Sequence, residues 1–155
     1  ARRCHYGFDM TVHYCSRTPK EAVMETSWHK SAAELAAAVD VLVLAAPGGA
    51  ETRHLVDEHV LAAMQPHAHL INIARGEVVQ QQALVAALQE QRIAGAGLDV
   101  YEFEPEVPQA LRDLDNVTLL PHLGTATEEV RSDMGHMALD DVAALLAGQR
   151  VPNPV

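Results

Sequence analysis

The amino-acid sequence predicts a doubly wound α/β fold around a parallel sheet, and three observations carry that prediction. Apolar runs of strand length recur as VLVLAAP (41–47), HLINIARG (69–76), GAGLDVY (95–101) and VTLLPH (117–122). They are continuous rather than alternating, as strands covered on both faces must be. Segments of helical period with start and stop signals lie between them, the arrangement of βαβ units with right-handed crossovers. Polar residues also gather just after the runs, where open parallel sheets bind their ligands.

In chain order, ARRCHYGFDM (1–10) reads as the tail of a helix capped by Gly7. MTVHYCS (10–16) places Met10, Val12 and Tyr14 on one face, the period of a strand. SAAELAAAVD (31–40) offers Ser31 and Glu34 as a capping box for a helix of about two turns. The strand at 41–46 is stopped by Pro47, Gly48 and Gly49, and DEHVLAAMQP (57–66) is a short helix closed by Pro66. After the strand at 69–74, QQALVAALQEQRIAG (81–95) spaces Leu84 and Leu88 four apart and reads as a helix capped at Gly95. Gln80 is a weak residue for the start of that helix. The strand at 95–100 is followed by the polar EFEPEVPQALRDLDN (102–116), which is predicted to be mostly loop. Beyond the strand at 117–120, Pro121 ends the run, Gly124 permits a turn, and Thr125 with Glu128 forms a second capping box. Val130, Met134, Ala138, Val142 and Leu145 then make a helical stripe over 126–147, ended by Gly148 and two later prolines.

Bulk properties exclude several classes of function. The chain of 155 residues is 48% hydrophobic and 21% charged, which suits one soluble globular domain with a real core. Only 4% is aromatic, too little for a large base-stacking surface. A formal net charge of −10 argues against nucleic acid or an acidic membrane as partner, because both need clustered positive charge. No apolar stretch approaches the ~18 residues of a membrane span, and no signal peptide is visible. Cys4 and Cys15 make neither metal-ligand spacing nor a disulfide framework; they read as reduced core residues of a cytoplasmic protein. The pairs His54/His59 and His67/His69 have no supporting carboxylate or cysteine in sequence, so no metal site is predicted.

The residues delivered to the carboxyl ends of the strands are Ser16, Arg17 and Thr18; Pro47, Gly48 and Gly49; Arg75 and Gly76; Asp99, with Glu102 and Glu104 after it; and His122. An arginine, carboxylates and a histidine thus converge on one edge. In these residues, INIARGEVV, AGAGLDVYEFEP and LLPHLGTAT closely resemble three motifs of the D-isomer-specific 2-hydroxyacid dehydrogenases, in the family's order and spacing. The resemblance runs from about residue 10 to the end and is nearest to the glyoxylate and hydroxypyruvate reductases.

The resemblance implies a Rossmann-type domain and hydride transfer between a nicotinamide cofactor and a small 2-oxo or 2-hydroxy acid. The family's catalytic residues fall on Arg75, Glu104 and His122. A fork-shaped, permanently charged Arg75 suits a substrate carboxylate. His122 suits the proton donor, and Glu104 would favour its charged form. Glu102 competes for that role but lacks the match to the family's Glu-Pro position. The candidate cofactor residues are Ser16, Arg17, Thr18, Pro47, Thr52, Ile73, Ala74, Asp99, Gly124 and Thr125. An NAD-using fold places an acidic residue at the end of its second strand. Here VHYCSRTPK offers Ser16, Arg17 and Thr18 instead, so NADP(H) is preferred, with NAD(H) as the alternative.

Two features depart from the family. The Gly-rich phosphate loop and the first strand are absent, and the glycine pair at 48–49 puts that cofactor contact in question. The chain is therefore expected to be part of a longer protein, a nucleotide-binding domain incomplete at its N-terminus. The whole protein would be a homodimer, and the last helix would pack toward a substrate domain. Without a first strand, the strands at 10–16 and 41–46 are expected to have no partner linking them to the other three. A non-catalytic nucleotide-binding or scaffold module, or an inactive truncated chain, is the competing reading.

Overall fold

A computed structural model describes residues 1–154. The described residues form two compact units, the first spanning Ala1–Pro121 and the second beginning at His122. Each is described by itself.

The first unit runs α1 (Arg2–Phe8), β1 (Val12–Cys15), β2 (Thr26–His29), α2 (Ala32–Ala37), β3 (Val41–Leu44), α3 (Glu58–Ala63), β4 (His69–Asn72), a 3₁₀ turn at Gly76–Val78, α4 (Gln81–Gln89), β5 (Gly95–Leu98), α5 (Gln109–Arg112) and β6 (Val117–Leu119). All strand pairs are parallel, in a two-stranded sheet β1-β2 and a four-stranded sheet β3-β4-β5-β6. The doubly wound α/β class is therefore observed.

The expected strand pairing is corrected in one respect. The strand at 41–44 is not cut off from the last three; it pairs directly with β4, Val41 opposite His69 and Leu44 opposite Asn72. The break falls between β1 and β3. β1 instead pairs with TSWH at 26–29, a strand whose polar residues and single Trp28 gave no apolar run to detect.

Register explains where the core sits. Leu42, Leu70 and Ala96 lie in one cross-strand row, and Leu44, Asn72 and Leu98 in another. These side chains are all buried, clustered with Val60 and Leu61 of α3, Leu84 and Leu88 of α4, and Leu111 of α5. Burying one such leucine stabilises the fold by roughly 1.5–3 kcal/mol. On the opposite face Val41 and Val43 are exposed.

Helix ends follow local chemistry, with several shifts from expectation. Ser31 caps α2 by accepting from the Glu34 N–H at 3.2 Å, while the Glu34 carboxylate accepts from the Lys30 N–H at 3.0 Å. Asp57 caps α3 through the Val60 N–H. α1 is closed not at Gly7 but at Asp9, a left-handed residue with φ 51. α4 ends well before Gly95, which opens β5. Its stop is a Schellman motif: Gln91 is left-handed at φ 53, and the N–H groups of Gln91 and Arg92 reach the carbonyls of Leu88 and Ala87. The acidic loop after β5 also contains one helical turn, α5. Cys4 and Cys15 are exposed free thiols, not core residues. No described helix is long and apolar enough to cross a membrane.

The second unit is dominated by α6 (Glu128–Leu146). Its cap is Thr127, which accepts from the Val130 N–H, rather than Thr125. Gly148, at φ 68, supplies the left-handed stop predicted for it, and Asn153 turns back to hydrogen-bond the Asp141 carboxylate. Within this unit no α6 residue is buried, and Val130, Met134, Val142 and Leu145 are exposed.

Candidate active site

Because β3 to β6 are parallel, their carboxyl ends form one rim, marked by the row Leu44, Asn72, Leu98 and Leu119. The loops that leave this rim carry the predicted Pro47, Thr52, Ile73, Ala74, Arg75, Asp99 and Glu104.

The loop after β4 is built around Asn72, whose side chain is buried at the end of an otherwise apolar strand. Its Oδ1 accepts from the Ala74 N–H at 3.0 Å, and its Nδ2 donates to the Arg75 carbonyl at 3.1 Å. Both sides of the amide are thereby satisfied, as burial requires. Arg75 leaves this turn exposed to solvent, with its Nη1 donating to the Ala74 carbonyl at 2.7 Å. Among the described residues no carboxylate forms an ion pair with it. Ala74 is buried and Ile73 exposed.

Two glycines fix the surroundings of Arg75. A Cβ on Gly76 would lie 1.9 Å from the Tyr101 carbonyl and 2.4 Å from the Glu102 N, all backbone, so the β4 and β5 loops touch where only glycine fits. A Cβ on Gly48 would meet the Arg75 stem at 2.8 Å. Gly49 stands at φ 121 and donates its N–H to Glu77 at 2.8 Å. Of the glycine pair that looked like a departure, Gly48 makes room for the Arg75 side chain and Gly49 takes a positive-φ backbone conformation. Thr52 closes the same loop, its hydroxyl donating to the Pro47 carbonyl at 2.6 Å.

The loop after β5 holds both competing carboxylates, and they do different work. Glu104, exposed, accepts from the Tyr101 N–H at 3.0 Å. Glu102 is turned inward, with its side chain only 8% exposed. It accepts from His54 Nε2 at 2.6 Å and from the Gln81 N–H at 3.1 Å, and Arg53 lies 3.8 Å away. Burial pushes its pKa up, but the bonds from His54 and Gln81 and the charges of His54 and Arg53 outweigh that, leaving it below its ordinary 4.5. A depressed carboxylate contributes stability that is present above its ordinary range and lost as pH falls through the lowered value. Glu102 also caps α4, the service that Gln80 does not perform. His54 thus has a carboxylate partner that the sequence did not reveal, and His67 likewise meets Asp40 at 2.7 Å.

Asp99 is buried, and its N–H donates to the Asn72 carbonyl at 3.0 Å. Tyr101 sends its hydroxyl to the Leu120 carbonyl at 2.8 Å, tying β5 to β6, and burial raises its pKa. Asn72, Tyr101 and the His54–Glu102 pair were not singled out from sequence. For Asn72 a signal existed, a lone amide closing an apolar run.

At the end of β1, the Ser16 hydroxyl donates to the Thr18 carbonyl at 2.6 Å, and Trp28 Nε1 donates to the Ser16 carbonyl. Arg17 and Thr18 are exposed, and Arg17 reaches Glu51 of the β3 loop at 3.4 Å. A pair this exposed is worth little and would yield to a stronger anion. The end of β1 thus carries two hydroxyls and a cation, with the Glu51 carboxylate as the partner of that cation.

His122, Gly124 and Thr125 belong to the second unit and are exposed. The left-handed residue of this turn is His122 itself, at φ 56, rather than Gly124. Histidine is among the few non-glycine residues that enter this region readily.

The family profile described as D-isomer specific 2-hydroxyacid dehydrogenase, NAD binding domain, matches residues 1–124. The chain belongs to this family. Relatives among the D-isomer-specific 2-hydroxyacid dehydrogenases include a hydroxyphenylpyruvate reductase of Plectranthus scutellarioides, 43% identical over 96% of this chain and 47% of its own length. A glyoxylate/hydroxypyruvate reductase B of Yersinia pestis is 44% identical over 96% of this chain and 46% of its own. The solved NADPH-dependent glyoxylate/hydroxypyruvate reductase of Sinorhizobium meliloti, in complex with NADP and malonate, superposes with a TM-score of 0.94 at 40% identity. It covers 99% of this chain and 48% of that structure's chain. The chain thus spans about half the length of the curated relatives it matches.

Proposed function

We propose that this chain is the nucleotide-binding half of a reductase that moves a hydride from NADPH to a small 2-oxo acid such as glyoxylate or hydroxypyruvate. The single observation that carries this reading is Arg75, held by Asn72 and flanked by Gly48 and Gly76, whose guanidinium stands exposed at the rim of the sheet with no ion pair to a carboxylate among the described residues. A relative at 40% identity that binds NADP and malonate, a dicarboxylate, supports it.

When bound, the reduced nicotinamide supplies the hydride. Ser16, Arg17 and Thr18 are assigned to the 2′-phosphate of the cofactor, and Pro47, Thr52, Ile73 and Ala74 to its flank. Asp99 is assigned to the nicotinamide carboxamide, and Gly124 and Thr125 to the turn beside it. Arg75 binds the substrate carboxylate and polarises the carbonyl. As negative charge grows on the carbonyl oxygen, His122 donates the proton that quenches it, and Glu104 favours the protonated imidazole needed for that step. In the oxidation direction the same imidazole accepts the hydroxyl proton. We place the whole protein in the cytoplasm as a homodimer. We also assign the exposed stripe of α6 to an interface with the rest of that longer protein.

The test is NADPH consumption with glyoxylate and hydroxypyruvate by the protein that contains this chain. His122→Ala is expected to lower turnover by roughly 10²–10⁴-fold. Turnover equal to the parent removes His122 as proton donor. NADPH binding without turnover of any 2-oxo acid leaves a binding module.

A further inference from the structure

Glu102 and His54 lie outside the chemistry assigned above, yet they stand where three loops of the rim meet. His54 comes from the β3 loop that carries Pro47 and Thr52. Its backbone is left-handed at φ 52, a region that histidine enters more readily than most non-glycine residues and that contacts on both sides hold here. The His54 N–H donates to the Glu77 carbonyl at 2.8 Å, and its ring meets Glu102 at 2.6 Å. Glu77 lies two residues beyond Arg75, and its carboxylate accepts from the Gly49 N–H at 2.8 Å. The Glu102 carboxylate also takes the Gln81 N–H at 3.1 Å, while the Gln81 side chain accepts from the Glu102 N–H at 3.3 Å. Glu102 in turn is two residues from Glu104, on backbone that Gly76 touches.

We propose that His54 and Glu102 form a positioning pair, a buried joint that locks the loops after β3, β4 and β5 together so that Arg75 and Glu104 are presented as one set. The joint acts through the backbone and touches neither substrate nor cofactor. Its three anchor points are independent in sequence: residue 54, residues 77–81 and residue 102. Removing the acceptor frees the His54 ring and the first N–H of α4 at once. Removing the imidazole frees only the β3 loop and leaves the α4 cap in place. The roles of Arg75 and Glu104 rest on the reading under Proposed function; the joint itself does not.

The experiment is amide hydrogen exchange, together with the Arg75 Nε–H resonance by NMR, on the 155-residue chain without cofactor. Glu102→Gln and His54→Asn are compared with the parent; asparagine tolerates the left-handed backbone but cannot reach residue 102. In Glu102→Gln, exchange is expected to rise about tenfold or more, as for a lost charge-assisted hydrogen bond, at 47–56, 76–81 and 100–104 together. Leu70 and Leu98 in the core strands stay protected, and the Arg75 resonance shifts in both variants. Unchanged exchange at 47–56 overturns the proposal, as does an unmoved Arg75 resonance. An equal rise in the core strands also overturns it, because that is general destabilisation. Should Glu102→Gln fail to fold, His54→Asn carries the test alone through the 47–56 amides and the Arg75 resonance. Absence of turnover would remove the enzymatic reading and leave these readouts untouched.

Discussion

The two sheets of the first unit are both parallel but differ in how their strands are joined and in what covers them: α3, α4 and α5 connect the strands of the four-stranded sheet, whereas no helix lies between β1 and β2. In the four-stranded sheet, Leu42, Leu44, Leu70 and Leu98 point into a helix-covered core and are nearly inaccessible. In the two-stranded sheet, which α2 packs against, no residue of β1 or β2 is buried, and its side-chain hydrogen bonds join Tyr14 to Lys20, Trp28 to the Ser16 carbonyl and His13 to His29. The difference teaches where precision resides. The rim that carries Arg75 and Glu104 stands on packed hydrophobic rows and a hydrogen-bonded joint. The segment of Arg17, which we assign to the cofactor phosphate, stands on surface contacts such as the pair with Glu51.

The largest effect that can break this comparison is at the loop contact. Gly76→Ala drives a Cβ into the Tyr101 and Glu102 backbone, where neither partner can rotate away. Destabilisation of about 4 kcal/mol or more is expected, with rim geometry lost as well. A mutant melting like the parent in urea would show that the two loops are not in contact. Next comes Leu70→Ala, at a fully buried position, expected to cost about 3 kcal/mol. Val12→Ala, at a half-buried position of the two-stranded sheet, should cost about 1 kcal/mol or less. Equal costs, followed by circular dichroism in urea, would erase the distinction between the sheets. The smallest effect sharpens it from outside. Gly135→Ala, in the middle of α6 with nothing within 4 Å, should stabilise that helix by about 0.5–1 kcal/mol.

The same contrast governs what could be read from sequence. β3, β4, β5 and β6 were legible from their continuous apolar runs, although the burial on both faces that such runs imply is corrected by β3, whose Val41 and Val43 are exposed. β2 was not, since TSWH has no buried residue and carries no apolar run. Misplacing the sheet break followed directly from missing that strand. Helix starts at Ser31 were readable from a local cap. The stops at Asp9 and Gln91 were not, because non-glycine residues took the left-handed position where glycine was expected. At the site, Arg75, Glu104 and His122 were recognisable as motif residues. The immediate partners of Arg75 and Glu104 are local, Asn72 and Tyr101, but the bonds that join the surrounding loops are long-range, with Glu102 meeting a histidine 48 positions earlier and Gly49 meeting Glu77 28 positions later. No spacing rule in a single sequence announces such pairs.

The most direct test of the central claim is a fluorescence titration of NADPH and NADH into this chain and its Arg17→Asp variant. NADPH is expected to bind about tenfold more tightly than NADH to the parent, the worth of a charge-assisted phosphate contact. Arg17→Asp is expected to reverse that order. Equal affinity for the two cofactors, or a ratio that Arg17→Asp leaves unchanged, would contradict the account.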